Sequence, residues 1–486
     1  MNTLILSLEP KAIWKNFSAL NAVPRPSKKE EKVRAFIVTF GENLGLKTVV
    51  DPIGNVIIKK PATKGMQNRK SVVLQSHLDM VCQKNNDTEF DFETQGIKMY
   101  VEGDWVTAEG TTLGADNGIG VAAIMSILES NDIAHPALEA LFTIDEETGM
   151  TGAKGLQAGY LNGEILLNLD TEEDDEIDIG CAGGIDITAT KKYQQIKTKS
   201  NVTAFKITLN GLNGGHSGMD IHKGLGNANK LLIRLLYNLQ EFDFQIAAFI
   251  GGGLRNAIPR EAHATIIVPN DKVAAFKETL KNQIATFKHE FHKVDANLNI
   301  TLKTTNIPST VMSKADQVSF INTLYAAHNG IYKMSLDVEG LVETSNNVAN
   351  VIAENGHIKV NCLTRSSVES TKYDLANKLK ATFALGNFDV KFAGSYPGWQ
   401  PNPDSPILKV LTNLYEKIFD KKPGVSACHA GLECGILGTN YPDMDMISFG
   451  PTIQGAHSPD ERASISSTQK FWRFLQEILK EIPVKE

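Results

Sequence analysis

The most informative segment of this chain is Leu138-Glu139-Ala140-Leu141-Phe142-Thr143-Ile144-Asp145-Glu146-Glu147-Thr148-Gly149. Its first seven residues are mainly apolar and have the length and composition of a buried strand. Two adjacent carboxylates, Glu146 and Glu147, follow where that strand ends. Adjacent carboxylates repel each other unless a positive charge compensates them. The stretch therefore predicts a buried strand that ends at a cationic partner.

Further apolar runs alternate with helical patterns on both sides of this stretch. Strands are predicted at Val72–Gln75, Leu138–Ile144 and Ile165–Leu169, and a helix at Gly118–Leu128. This alternation is typical of an α/β fold with a doubly wound, mostly parallel sheet that helices cover on both faces. Because ligands bind beyond the carboxyl ends of the strands in such sheets, that edge is the expected place for a functional site.

Candidate metal ligands follow the predicted strands or lie at the start of the helix. Taken singly, each has an ordinary alternative: a solvated loop for His77 and Asp79, an N-cap for Asp116, an acidic loop for Asp170 and a plain loop histidine for His457. Together with Glu146 and Glu147 they supply imidazoles and carboxylates, which suit a pair of zinc-like ions. Buried acids at successive strand ends are costly unless cations neutralise them. The joint pattern predicts a dinuclear metallohydrolase.

Composition argues against several other classes of protein. The chain has 49 Lys and Arg against 56 Asp and Glu, a formal net charge of −7, which leaves no electrostatic footprint for nucleic acid or an anionic membrane. We expect no secretory leader, and no apolar run reaches the about 18 residues that a spanning helix needs. The five cysteines show no C-x-x-C spacing, which favours a reducing cytoplasm over a disulfide framework.

The pattern changes after about residue 186, where half-exposed strands and helices predict an α+β insertion. The order of elements recurs from the strand Leu298–Thr304, which suggests two repeated β-α-β-β-α-β halves. Prolines at 401, 403 and 406 then mark a linker, and the metal candidate His457 follows it. We therefore predict a catalytic domain from residues 1–186 and 402–486, with a lid domain at 187–401.

Four motifs carry a resemblance to a known family. Ser76-His77-Leu78-Asp79-Met80-Val81, Thr112 to Gly118, Asp145 to Gly149 and Asn168-Leu169-Asp170-Thr171 resemble the metal motifs of the zinc aminopeptidase and carboxypeptidase family that contains peptidase T and peptidase V. The long insertion, the block Gly424 to Gly435 and the segment Gly450 to His457 make the chain most similar to the aminoacyl-histidine dipeptidases. The resemblance covers essentially the whole chain.

The resemblance implies two Zn²⁺ ions per subunit, for which Co²⁺ or Mn²⁺ could substitute. It makes Asp116 the bridging ligand, assigns His77 and Asp170 to one ion, and assigns Glu147 and His457 to the other. Glu146 would act as the general base, and Asp79 would orient the ring of His77. The implied reaction is hydrolysis of Xaa-His and related dipeptides in the cytosol.

Substrate-binding residues carry over from the same resemblance. His216, in Gly214-Gly215-His216-Ser217-Gly218, resembles the lid histidine that hydrogen-bonds the substrate carbonyl or oxyanion. Asn256 and Arg365 resemble lid residues that bind the substrate's terminal carboxylate. His429 and Glu433 are expected to shape the substrate pocket. Whether His216 acts in its own subunit or across a homodimer stays open.

Two alternatives to a dipeptidase remain at this point. One is an N-acyl-amino-acid deacylase on the same scaffold, and the other is a non-catalytic module that binds metal or peptide. An intact Glu146 argues against the second, because a binding protein has no use for a spare carboxylate beside a full ligand set.

Overall fold

The computed structural model of the protein describes residues 3–485. Within this range the chain divides into two units. Unit 1 comprises residues 3–180, 399–427 and 432–485, and unit 2 comprises residues 181–398 and 428–431. Most of the second unit is thus inserted into the first, between residues 180 and 399. The roles of catalytic and lid domain stay a prediction for the two units.

An eight-stranded mixed sheet organises unit 1. Its spatial order is Lys47–Val50, Val56–Lys60, Leu138–Thr143, Val72–His77, Ile165–Asn168, Asp445–Ser448, Glu176–Cys181 and Gly424–Cys428. The four central strands, from Leu138–Thr143 to Asp445–Ser448, run parallel to one another. A smaller antiparallel sheet joins Met99–Glu102, Trp105–Ala108, Arg462–Ser464 and Ile453–Gln454.

Burial explains why the central strands are mostly apolar. Every residue of Val72–His77, Leu138–Thr143 and Ile165–Asn168 is buried, as expected for strands covered on both faces. The helix Ala115–Glu129 is likewise buried without interruption from residue 117 to residue 128. The remaining α-helices of this unit are Thr3–Leu6, Lys11–Asn21, Glu31–Asn43, Glu146–Gly149, Thr151–Gly155, Pro406–Phe419, Glu433–Asn440 and Ile465–Glu481. The predicted α/β fold class is confirmed.

A nine-stranded antiparallel sheet organises unit 2. Eight strands follow the order Asn299–Thr304, Val202–Asn210, Ala262–Pro269, Gln245–Gly252, Val342–Glu354, His357–Ser366, Gly183–Lys192 and Asp389–Tyr396, while Gly330–Met334 pairs beside Val342–Glu354. Two short ribbons pair Gln195–Lys197 with Thr310–Met312 and Gly215–His216 with Ala257–Ile258. The α-helices are Ala228–Asn238, Val273–Glu290, Lys314–Ala326 and Glu369–Leu385, and short 3-10 helices cover Ile221–Lys223, Gln240–Phe242 and Asn270–Lys272.

The placement of one strand differs from the sequence prediction. The strand Asn299–Thr304 pairs with Val202–Asn210 and so completes the first half of the sheet instead of starting the second. Gly183–Lys192 takes the corresponding place beside His357–Ser366 in the second half. Strand partners depend on contacts between distant parts of the chain, which local periodicity does not encode. The repeat itself stays a prediction.

No helix within residues 3–485 has both the length and the apolar character needed to cross a bilayer.

The helix Glu369–Leu385 offers a matched test of the core of unit 2. Leu375 is fully buried, whereas Leu385 on the same helix is 90% exposed. We expect Leu375→Ala to lower the free energy of unfolding by about 2–5 kcal/mol, because it leaves a cavity. Leu385→Ala should change it by less than about 0.5 kcal/mol. Urea unfolding followed by circular dichroism measures both, and equal effects would contradict this packing.

Candidate metal centre

The carboxyl ends of three neighbouring parallel strands position most of the predicted ligands. His77 is the last residue of Val72–His77, and Asp170 comes two residues after Ile165–Asn168. Glu146 and Glu147 open a short helix three residues after Leu138–Thr143. Since these strands are adjacent and parallel, their carboxyl ends meet at one edge of the sheet. The structure thus brings together side chains that lie up to 93 positions apart in the chain.

The first ligand group consists of His77, Asp116 and Asp170. Nε2 of His77 lies 3.1 Å from Oδ1 of Asp116 and 3.5 Å from Oδ1 of Asp170. The side chain of His77 is only 1% exposed. The ligand atoms of this group all lie within 4.8 Å of one another, which would allow them to hold one metal ion.

The second ligand group consists of Asp116, Glu147 and His457. Nε2 of His457 lies 3.1 Å from Oδ2 of Asp116 and 3.1 Å from Oε2 of Glu147. These atoms also lie within 4.8 Å of one another. Asp116 therefore presents one carboxylate oxygen to each group, which is the arrangement that a bridging ligand requires.

Asp79 supports both the histidine and the glutamate pair. Its Oδ1 lies 3.4 Å from Nδ1 of His77. The same carboxylate accepts hydrogen bonds from the backbone N–H of Glu146 at 3.0 Å and of Glu147 at 3.2 Å. Asp79 is completely buried, so it fixes the His77 ring relative to the start of the glutamate segment.

Both glutamates of the pair have raised pKa values. Burial raises the pKa of Glu146 well above its usual value; His77 opposes this rise, while Asp170 and Glu147 add to it. Burial also raises the pKa of Glu147. Carboxyl groups resist ionisation here because burial disfavours the charged form, and neighbouring carboxylates add to that effect.

The two histidines of the ligand groups also have raised pKa values, because carboxylates surround them. Burial alone would lower the pKa of His77, but the carboxylates of Asp170 and Asp116 raise it well above its usual value. Hydrogen bonds to Asp116 and Glu147 raise the pKa of His457 to about 11. Both rings are therefore stabilised as cations, so this cluster of carboxylates attracts positive charge.

The donor set fits divalent cations of the zinc type. Two imidazoles and several carboxylates are ligands that Zn²⁺, Mn²⁺ and Co²⁺ accept. One further observation supports this fit: Oε1 of Glu147 is buried and has no hydrogen-bond partner among the described residues. A buried, unpaired carboxylate oxygen is costly unless a cation binds it.

Glu433 lies in the same unit, at the start of the helix Glu433–Asn440, and its side chain contacts two strands of the sheet. It is completely buried, and Oε2 accepts hydrogen bonds from Nε2 of Gln75 at 2.6 Å and from the hydroxyl of Thr143 at 2.5 Å. Burial raises its pKa to about 8. Its expected role in the substrate pocket stays a prediction.

The predicted substrate-binding residues His216 and Arg365 lie together in unit 2. Nη2 of Arg365 is 3.3 Å from Nε2 of His216, and Nη1 donates to the hydroxyl of Tyr396 at 3.1 Å. Arg365 is only 5% exposed. A buried guanidinium beside an imidazole and a phenol is well suited to bind a carboxylate.

His429 and Asn256 belong to the same unit. Nε2 of His429 lies 2.8 Å from the hydroxyl of Ser345. Burial, helped by the positive charges of Arg365 and His216, lowers the pKa of His429 to about 3, so this ring is neutral near pH 7. Asn256 is exposed, and its backbone carbonyl oxygen accepts a hydrogen bond from the backbone N–H of Ser217.

Sequence reasoning missed two charged residues that contact the loops of the metal centre. Arg25 and Glu461 are 1% and 2% exposed and bond to backbone groups beside the ligands. Arg25 stands between two prolines and Glu461 follows His457 by four positions. Neither pattern distinguishes a buried residue from a surface one, so no local signal identified them.

Comparisons with known proteins identify the family of this chain. The model of peptidase family M20/M25/M40 matches residues 73–481. The cytosol non-specific dipeptidase of Escherichia coli (strain K12) is 44% identical over 479 residues, which are 98% of this chain and 99% of that protein.

Solved structures of related proteins match this chain along nearly its whole length. The aminoacylhistidine dipeptidase from Vibrio alginolyticus is 45% identical and superposes with a TM-score of 0.91 over 99% of both chains. The aminopeptidase PepT from Bacillus cereus, at 16% identity and a TM-score of 0.57, covers 98% of this chain and 99% of its own and shares the fold. Since the family model and a relative of 44% identity both span most of the sequence, this chain belongs to peptidase family M20.

Proposed function

We propose that this protein is a cytosolic metallo-dipeptidase that hydrolyses Xaa-His and related dipeptides. The observation that carries the proposal is the pair of ligand groups that share Asp116, with Glu146 beside them. The full-length similarity to two proteins named as dipeptidases supports it. One of these is named non-specific and the other aminoacylhistidine, so the range of accepted dipeptides is the property to measure first.

In this proposal two Zn²⁺ ions, or Co²⁺ or Mn²⁺ in their place, bind to five side chains. His77 and Asp170 would hold one ion, Glu147 and His457 would hold the other, and Asp116 would contribute to both. When bound, such a pair polarises the scissile carbonyl and makes water a better nucleophile.

Glu146 is the residue that moves the proton. It takes a proton from the attacking water and gives it to the nitrogen of the leaving amine. A positioned carboxylate can serve as general base, and Glu146 lies beside the two ligand groups. Asp79 contributes by holding the backbone of Glu146 and the ring of His77.

Unit 2 supplies the proposed substrate-binding residues and is the proposed lid domain. Arg365 binds the terminal carboxylate of the dipeptide, with Asn256 as a second donor, and His216 hydrogen-bonds the carbonyl under attack. The 3.3 Å separation of Arg365 and His216 supports a joint role for these two side chains. His429 and Glu433 remain the proposed residues that shape the pocket.

A substrate panel tests the function as a whole. Zinc-reconstituted protein should release amino acids from dipeptides with a free amino group, including Xaa-His, and should leave their N-acetylated counterparts uncut. Amine release measured by a colorimetric reagent gives the rates. Preferential cleavage of N-acetylated substrates would instead indicate a deacylase, and no cleavage of any member would indicate a binding module.

The role of Glu146 is tested by the isosteric change Glu146→Gln. We expect turnover to fall roughly 100- to 10,000-fold, because the amide cannot take a proton from water. Metal content measured by mass spectrometry should stay that of the wild type. The control Glu343→Gln changes a buried carboxylate of unit 2 and should keep turnover high. Normal turnover in Glu146→Gln would exclude it as the base.

The shared-ligand geometry predicts the effect of removing His457. Because His457 belongs to only one of the two ligand groups, His457→Ala should lower the metal content from two ions to one ion per chain. The exposed His292, changed to Ala as a control, should leave the metal content unchanged. Retention of both ions in His457→Ala would contradict the assignment.

A further inference from the structure

Glu461 binds the backbone of the loop that carries Asp116. Its Oε2 accepts hydrogen bonds from the N–H groups of Leu113 at 2.7 Å and Gly114 at 2.9 Å. Its Oε1 accepts from the N–H groups of Ala115 at 2.7 Å and Asp116 at 3.3 Å. One buried carboxylate thus binds four consecutive backbone donors, from residue 113 to residue 116, just before the regular part of the helix Ala115–Glu129, since Asp116 and Asn117 have non-helical backbone angles.

Arg25 binds carbonyl groups of the same loop and of the loop after His77. Nη1 donates to the carbonyl oxygens of Leu78 and Asp79, both at 3.1 Å. Nη2 donates to the carbonyl oxygen of Gly114 at 2.5 Å. Arg25 therefore links the segment that holds His77 to the segment that holds Asp116.

Two glycines, Gly114 and Gly118, provide the space that the guanidinium of Arg25 occupies. A Cβ atom at Gly118 would lie 2.8 Å from Nη2 of Arg25, and one at Gly114 would lie even closer to the same atom. Gly114 also has a φ of 70°, in the left-handed region that favours glycine. The Gly114 and Gly118 positions are thus explained by the buried guanidinium between them.

The attachment of Glu461 connects three ligand-bearing segments. Glu461 lies four residues after His457, so its hydrogen bonds tie the His457 segment to the Asp116 loop. Arg25 ties that loop to the His77 segment. In these segments, Nε2 of His77 and Nε2 of His457 each lie 3.1 Å from a carboxylate oxygen of Asp116.

We propose that Glu461 and Arg25 are positioning residues that hold the Asp116 carboxylate with one oxygen toward His77 and the other toward His457. They reach the metal ligands through the backbone and do not touch the substrate. The inference rests on the proposed function for its metal, but it concerns metal affinity rather than the identity of the substrate. Substitution of either residue should therefore lower the affinity for metal, beyond any loss that a lower free energy of unfolding would cause.

The test compares zinc affinity in two matched variants. In Glu461→Gln, the amide nitrogen replaces an acceptor oxygen and faces backbone donors. Zinc affinity, measured by competition with a fluorescent chelator, should fall roughly 10- to 100-fold. The control is Glu139→Gln: Oε2 of Glu139 accepts the N–H groups of Asn162 at 2.7 Å and Gly163 at 3.0 Å, near the opposite end of the strand from Glu146. Its zinc affinity should equal that of the wild type.

Thermal unfolding of the metal-free variants separates positioning from general stability. Both changes are expected to lower the melting temperature, whereas only Glu461→Gln should lose zinc affinity. Wild-type zinc affinity in folded Glu461→Gln would overturn the inference, as would an equal loss in Glu139→Gln. If Glu461→Gln does not fold, Arg25→Lys gives the same comparison, because an ammonium cannot reproduce the fork that binds three carbonyl groups.

The outcomes for the inference and for the proposed function are distinguishable. A wild-type protein that binds zinc but cleaves no dipeptide would end the proposed function and leave the affinity comparison valid. A wild-type protein that cleaves dipeptides, with unchanged zinc affinity in Glu461→Gln, would end only the inference.

Discussion

Electrostatic repulsion among carboxylates at one edge of a parallel sheet is the constraint on which this structure depends. Asp116, Glu147 and Asp170 contribute oxygens to ligand groups less than 5 Å across, and Glu146 lies beside them. The pKa shifts record the cost: burial raises the pKa of both glutamates, while the histidines are stabilised as cations. A pair of divalent cations would remove this cost and also provide the chemistry of hydrolysis.

Buried polar side chains around the site bind the backbone of the loops that carry the ligand groups. Asp79 accepts the N–H groups of the glutamate pair, and Glu461 accepts four N–H groups of the Asp116 loop. Arg25 binds the carbonyl groups on the other side of the same loop. These hydrogen bonds hold the loops through their backbone, and none of them uses a side-chain atom of the two ligand groups. Rigid support of this kind is what a site with two closely spaced ions requires.

Much of the fold follows from local pattern, and the exceptions have a common cause. The runs at Val72, Leu138 and Ile165 predicted strands because strands buried on both faces are mostly apolar. The strand Asn299–Thr304 was found correctly but placed in the wrong half of its sheet, since its partner Val202–Asn210 lies about ninety residues earlier. The sequence did not predict the burial of Glu461 and Arg25, because no local pattern distinguishes a buried charged residue in a loop from an exposed one.

The sequence alone determined the secondary structure of the central sheet, the types of ligand at its edge and the family, because these depend on periodicity, residue chemistry and motifs that can be read in order. Tertiary structure alone decided that Asp116 faces both histidines and that Glu461 holds the Asp116 loop. It also placed the side chain of Glu433 against Gln75 of the sheet and His216 beside Arg365. These are contacts between side chains up to several hundred positions apart, and only the packing of the folded chain fixes them.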